Sequence, residues 1–229
     1  MQRTHILATF DEALNALRQD VLMMASLTER NLTSARKGLF ERNDEACNHV
    51  IADDEAIDQL EKQVDRDGVA LLTRFQPVAS DLRQVISAMK ISSNLERIAD
   101  QATSIARKAR KLNQQSELPE VSLLQPMFQQ AFALFADSMN SYVQADVALA
   151  SVLKSRDKEL DALNADIAAK LTERIAEDSK RVADYLNLMF VSRHLERVGD
   201  HATNIAEDAV YAAAAADIRH TSERPPLNS

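Results

Sequence analysis

Tryptophan is absent from this chain, cysteine occurs once, and glycine and proline number only three and five in 229 residues. So few turn formers exclude a sheet-rich fold, because each strand reversal draws on residues with left-handed or fixed backbone angles. The lone Cys47 excludes an internal disulfide and fits a reducing compartment. Set among polar neighbours on an expected helix, it reads as a packed thiol and not as a nucleophile. No run approaches eighteen uninterrupted apolar residues, so no membrane span is expected, and acidic residues enter before any apolar run reaches signal-peptide length. The expected compartment is the cytoplasm. Basic tracts are missing as well: the net charge is −8 and no aromatics interleave with Lys or Arg, so the positive footprint that nucleic acid requires is lacking. Gly-rich phosphate loops, Cys/His metal arrays and nucleophile–base sets are also absent.

What the chain has in abundance is Ala, Leu, Glu, Asp, Lys and Arg, with aromatics at only 4%. This is the composition of long helices and predicts an all-α fold. Apolar residues at Ile6, Phe10, Leu14, Leu17, Val21 and Met24 step by threes and fours, giving a first helix from about Thr4 to Glu41. Asn43 and Asp44 supply cap chemistry for a second, which carries Val50, Ile57, Leu60, Val64 and Leu71 to about Phe75, before Pro77. Ser80 and Asp81 are expected to cap a third, ending near Leu112. Asn113 to Glu120 reads as a connection between halves. A fourth helix begins around Pro126 and carries Phe128, Phe132 and Phe135 as a core stripe. Turns near Gln144–Asp146 and Glu177–Lys180 then bound a fifth, and the sixth runs into the alanines at 212–216. The expected organisation is two tandem, similar three-helix bundles of long antiparallel helices over residues 1–115 and 121–215, with a disordered tail at 220–229.

A twenty-residue block occurs twice, one hundred positions apart: ISSNLERIADQATSIARKAR from Ile91 and VSRHLERVGDHATNIAEDAV from Val191. The copies agree at ten positions, including Glu96 with Glu196, Arg97 with Arg197, Asp100 with Asp200 and Thr103 with Thr203. Agreement at apolar positions follows from a duplicated core; agreement at charged ones does not. Residues four apart share a helix face, so Glu96 neighbours Asp100 and Glu196 neighbours Asp200. The preceding helix of each half offers a matching pair, Asp54 with Asp58 and Asp157 with Asp161. At 100° per residue, Glu96 and Asp100 lie about 120–140° from the centre of the stripe formed by Leu95, Ala99, Ala102 and Ala106, which places them on the flank or outer face of the bundle.

A single Glu-x-x-x-Asp is the ordinary pattern of a solvated helix face. Four pairs at corresponding places in two repeats also fit oxygen ligation of hard or borderline cations such as Fe, Mn, Mg or Zn. Both readings stand on the residues alone. His194 and His201 flank the second pair, but Asn94 and Gln101 occupy those places in the first copy. A ligand role confined to the second half and a plain polar histidine are both open. A di-iron carboxylate enzyme would carry Glu-x-x-His aimed into the bundle interior, and that spacing does not occur. A metal-independent helical adaptor remains as an alternative.

The motifs QPVASDLR (Gln76 to Arg83), NLERIAD ending at Asp100, HLERVGD ending at Asp200 and DHATNIAEDAVY from Asp200 to Tyr211 resemble those of the PhoU family, regulators of the bacterial phosphate-specific transport system. The likeness spans the chain up to its tail. It implies two similar three-helix bundles, usually dimeric, and multinuclear iron or zinc clusters on the bundle surface. The implied ligands are Asp54, Asp58, Glu96 and Asp100 in one half and Asp157, Asp161, Glu196 and Asp200 in the other. The family is described as coupling the ATPase subunit of the phosphate ABC transporter (PstB-like) to a membrane sensor histidine kinase (PhoR-like), as a negative regulator of the phosphate regulon. In the first block Ala99 stands where glycine is common and Asn94 where an acidic residue is frequent, so the first half offers one charge fewer to a metal.

Overall fold

The computed structural model of the chain describes residues 2–216, with side chains from residue 9 onward. Six helices succeed one another: α1 (Gln2–Phe40), α2 (Asp44–Phe75), α3 (Ala79–Asn113), α4 (Gln125–Gln144), α5 (Val147–Glu177) and α6 (Val182–Ala214). Short 3₁₀ turns lie at Pro119–Leu124 and Ser179–Arg181. No strand occurs among the described residues. The expected tail at 220–229 lies outside them.

The helix ends follow from local chemistry. Asn43 caps α2 by accepting a hydrogen bond from Ala46 N at 2.9 Å, and Asp44 and Glu45 in the first turn favour the positive end of the helix dipole. Asp146 caps α5 through Leu149 N at 3.0 Å, and Pro126 sits in the first turn of α4. The expected caps of α3 are not used. Val78 is the residue before that helix and makes no side-chain capping bond, while Ser80 and Asp81 fall inside the first turn, past the extended position a capping side chain needs. The connection between halves is held where sequence showed only polarity. Arg42 donates to the carbonyls of Asn113 (2.7 Å) and Gln115, and Arg181 to those of Ser116 and Glu117 (2.6 and 2.8 Å). These bonds satisfy backbone acceptors that no helix serves.

Helices α1 and α2 pack on α3, helices α4 and α5 pack on α6, and α3 lies along α6 as the most extensive helix pairing of the molecule. Each half is therefore a three-helix bundle, and the two share their third helices. Leu95, Ile98, Ala99, Ala102, Ile105 and Ala106 of α3 and Leu195, Val198, Ala202, Ile205 and Ala206 of α6 are all buried. The buried apolar side chains form one continuous cluster across both halves, which the Phe stripe joins through Phe128 and Phe135 and which Phe132 flanks half-buried.

Polar contacts fix the direction and register of the α3–α6 seam. Lys90 pairs with Asp208 (3.2 Å), Asn94 Oδ1 faces His201 Nδ1 (3.1 Å), Gln101 Oε1 faces His194 Nδ1 (2.8 Å), and Lys108 lies over the Phe190 ring (4.4 Å). Numbers rise along one helix as they fall along the other, so the pair is antiparallel. Because residue 94 corresponds to 194 and 101 to 201, the two imidazole–amide contacts are the same contact made twice about an approximate two-fold axis.

Candidate metal centre

Antiparallel packing of α2 on α3 and of α5 on α6 brings the acidic pairs together within each half. Burial pushes Glu96 up to about 7; the charges of Asp100, Glu61 and Asp58 add to this, and Arg97 opposes it. Asp100 is raised by burial and then by Asp54 and Asp58, against Arg97 and Arg107. The electrostatic neighbours of these two α3 carboxylates thus include both expected α2 carboxylates, together with Glu61. In the second half burial pushes Asp157 up to about 7, reinforced by Asp200, Asp161 and Glu196. Glu196 and Asp200 are raised by burial and then by their acidic neighbours, with Arg193 and Arg197 opposing.

The expected outward placement holds for part of each set. Asp161 and Asp200 are exposed and the Asp100 side chain is 42% accessible, but the side chains of Glu96 and Glu196 are only 13% and 11% accessible. A flank measured from one helix's own stripe neglects the neighbouring helix, and α2 or α5 lies over it. That covering is what desolvates the carboxylates.

The partners differ between halves. Thr103 donates to Asp54 Oδ1 at 3.0 Å, and Arg107 stands 3.9 Å from the other oxygen of Asp54. The equivalent Thr203 Oγ1 and Asp157 Oδ1 are both buried with no hydrogen-bond partner, as are Glu96 Oε2 and Glu196 Oε2. Glu96 Oε2 does lie 3.2 Å from Arg97 Nε, a charge contact without hydrogen-bond alignment. Glu196 is held through its other oxygen by Arg193 at 2.5 Å. Asp157 and Thr203 line a polar cleft of about 600 Å³ at the seam, together with Asp100, Asp200, Arg197 and His201.

Hard oxygen donors that are desolvated, mutually repelling and partly unpaired suit a divalent cation. They are not assembled for one: among the described residues no three His, Cys, Asp or Glu side chains stand close enough to hold a single ion. The donor set fits a metal in its chemistry, and ligation requires the side chains to converge. His194 and His201 are explained by the seam instead. Burial and nearby cations lower both, His194 to about 4, which keeps His194 neutral against Gln101 and His201 neutral against Asn94. Sequence reading missed Glu61, one turn from Asp58, and missed Thr103 as the partner of Asp54, although Thr103 and Thr203 were visible as a shared pair.

A PhoU domain model matches residues 21–109 and again 124–209. The phosphate-specific transport system accessory protein PhoU homolog of Zymomonas mobilis is 36% identical over 209 residues, covering 91% of this chain and 88% of that protein. The homolog from Xylella fastidiosa strain 9a5c is 32% identical over 207 residues, covering 90% and 87%. The crystal structure of PhoU from Pseudomonas aeruginosa superposes with a TM-score of 0.88 at 31% identity, covering 90% of this chain and 100% of that one. For the phosphate transport system regulatory protein PhoU from Streptococcus pneumoniae the TM-score is 0.82 at 26% identity, covering 91% and 99%. Both repeats match one domain, and two solved relatives share the whole architecture: the chain belongs to the PhoU family.

Proposed function

We propose that this chain is a cytoplasmic accessory regulator of phosphate-specific transport and a negative regulator of the phosphate-starvation response. It acts by binding the transporter's ATPase subunit and a sensor histidine kinase, and it works as a homodimer. The observation that carries this reading is the family match over both repeats, with the acidic pairs recurring at equivalent places in each. The relatives in Zymomonas mobilis and Xylella fastidiosa are accessory proteins of the phosphate-specific transport system. No helix among the described residues is long and apolar enough to cross a membrane, so contact with a membrane complex would run through its protein subunits.

The same reading places divalent or multinuclear metal, iron or zinc first and manganese or magnesium as alternatives, on Asp54, Asp58, Glu96 and Asp100 and on Asp157, Asp161, Glu196 and Asp200. Bound there, a cation would offset the mutual repulsion of four carboxylates. No catalytic step is assigned to it. That no three such side chains stand together among the described residues favours a second reading, a metal-independent adaptor whose acidic faces meet basic partner surfaces.

Deleting the gene is expected to switch on phosphate-starvation genes in high phosphate, measured as transcript levels. Unchanged repression would sink the regulatory reading. Elemental analysis of protein purified without chelator separates the two accounts of the acidic faces.

A further inference from the structure

At the end of the molecule where α3 begins and α6 ends, four helices drawn from both halves enclose a cleft of about 170 Å³ that shares no residue with the acidic sets. Arg18 comes from α1, Gln84 from α3, Tyr142 from α4, and Ala209, Ala212 and Ala213 from α6. The alanines keep it open, since longer side chains at these places would fill it.

What the polar wall offers is hydrogen-bond donors. Arg18 Nη2 donates to Gln84 Oε1 at 2.8 Å, which uses the acceptor of that amide and leaves its N–H₂ group to give. The rest of the Arg18 fork is open, and no carboxylate among the described residues pairs with it. Tyr142 Oη is buried with no hydrogen-bond partner. Burial pushes this phenol up and Arg18 opposes the push, so the guanidinium stands near the hydroxyl while no acceptor takes its hydrogen. A buried hydroxyl in that state calls for a partner. Ser80 also lines the cleft, in the first turn of α3, whose N-terminus has no side-chain cap, so the positive end of that helix adds to the field. The acids adjoining the lining residues are engaged: Asp81 accepts from the Ser80 hydroxyl at 3.3 Å and Asp146 from Leu149 N at 3.0 Å.

We infer that this cleft is a binding site for a carboxylate on a short aliphatic stem, held by Arg18, Gln84 and Tyr142. A carboxylate has two oxygens that accept and no hydrogen to give, which answers the guanidinium, the amide N–H₂ and the phenol together. Its single negative charge matches one guanidinium, where a dianionic phosphate would leave a charge unpaired. The stem lies against the alanines of α6, where methylene groups leave water without burying a polar group. One such group fits the volume and a length of chain does not, since a single water already takes about 30 Å³. Two sources carry this chemistry: a free small acid, or a glutamate side chain of another protein. The inference is independent of the metal and regulatory readings above.

Isothermal titration of the full chain with butyrate, and with the blocked peptide acetyl-Ala-Glu-Ala-amide, tests this against their uncharged counterparts, butyramide and the peptide with Gln in place of Glu. One site per chain is expected, with the uncharged forms bound at least about tenfold more weakly. Binding of butyrate marks a site for free acids, and binding of the peptide alone marks one for a partner's side chain. Arg18→Gln and Tyr142→Phe should each weaken binding by about tenfold or more, and Ala212→Leu should abolish it by filling the cleft, with circular dichroism confirming that each variant is folded. In the ligand-free protein Tyr142→Phe should leave the thermal midpoint unchanged or raised, because the hydroxyl it removes has no bond to lose. A lowered midpoint with binding intact would show a hydroxyl that serves the fold and would overturn the assignment. Equal binding of acid and amide, tighter binding of inorganic phosphate, binding that survives Arg18→Gln, or no binding of either butyrate or the peptide would overturn it as well.

Discussion

Glu96 carries its charge at a cost. Its carboxyl is pushed from the ordinary 4.5 up to about 7, first by burial under α2 and then by Asp100. The native state therefore holds a proton that the unfolded chain releases, and metal-free stability falls as the pH rises from about 4.5 through about 7. Glu96→Gln keeps the shape and removes the charge. It is expected to be more stable than the parent above pH 7 by on the order of 1 kcal/mol once solvent screening is allowed for, with the advantage gone near pH 4.5. Urea midpoints across that range check it, and a pH-independent difference would point to packing instead. At this scale the sequence disclosed the four acidic pairs, because duplication repeats what a single helix face leaves ambiguous. It did not disclose that Asn94 and Gln101 are the partners of His201 and His194. Those contacts exist only once α3 crosses α6, and nothing local encodes the crossing.

At the scale of the element, α2 shows how far local chemistry reaches. Asn43 is in extended backbone, its side chain takes an otherwise unserved amide, and the first turn is acidic. Asn43→Ala is expected to lower stability by about 1 kcal/mol in urea unfolding, whereas Asn43→Gly should cost only a few tenths. Helix bounds were legible for the same reason, with periodicity fixing the bodies and cap residues most of the ends. The start of α3 was not, because the polar pair Ser80 and Asp81 looks like a cap wherever the helix begins. The 3₁₀ turn at Pro119–Leu124 and the clamps by Arg42 and Arg181 were likewise hidden, since a polar stretch with one proline gives no sign of which distant guanidinium will reach it.

For the whole molecule the decisive fact is that both halves draw on one continuous core. Chemical unfolding is expected to be a single cooperative transition, with fluorescence of the tyrosines and helical ellipticity coinciding. Ile98→Ala, at the crossing of α3 and α6, should cost about 2–5 kcal/mol and shift that transition without splitting it. Two separated transitions would mean that the halves are thermodynamically independent. The seam also determines which halves can join. Asn94 and Gln101 each give one amide hydrogen to a carbonyl of their own helix, that of Lys90 or Arg97, and turn their oxygen to the seam. Two first halves brought together with these side chains held as they are would set one amide oxygen against another at both contacts. A first half meeting a second finds an imidazole N–H at each. Duplication within one chain has thus done what a symmetric pair of identical polypeptides cannot: at these two places it set amide oxygens on one copy against imidazoles on the other. The seam of the fused molecule is thus fitted to a first half against a second, and not to a first half against its twin.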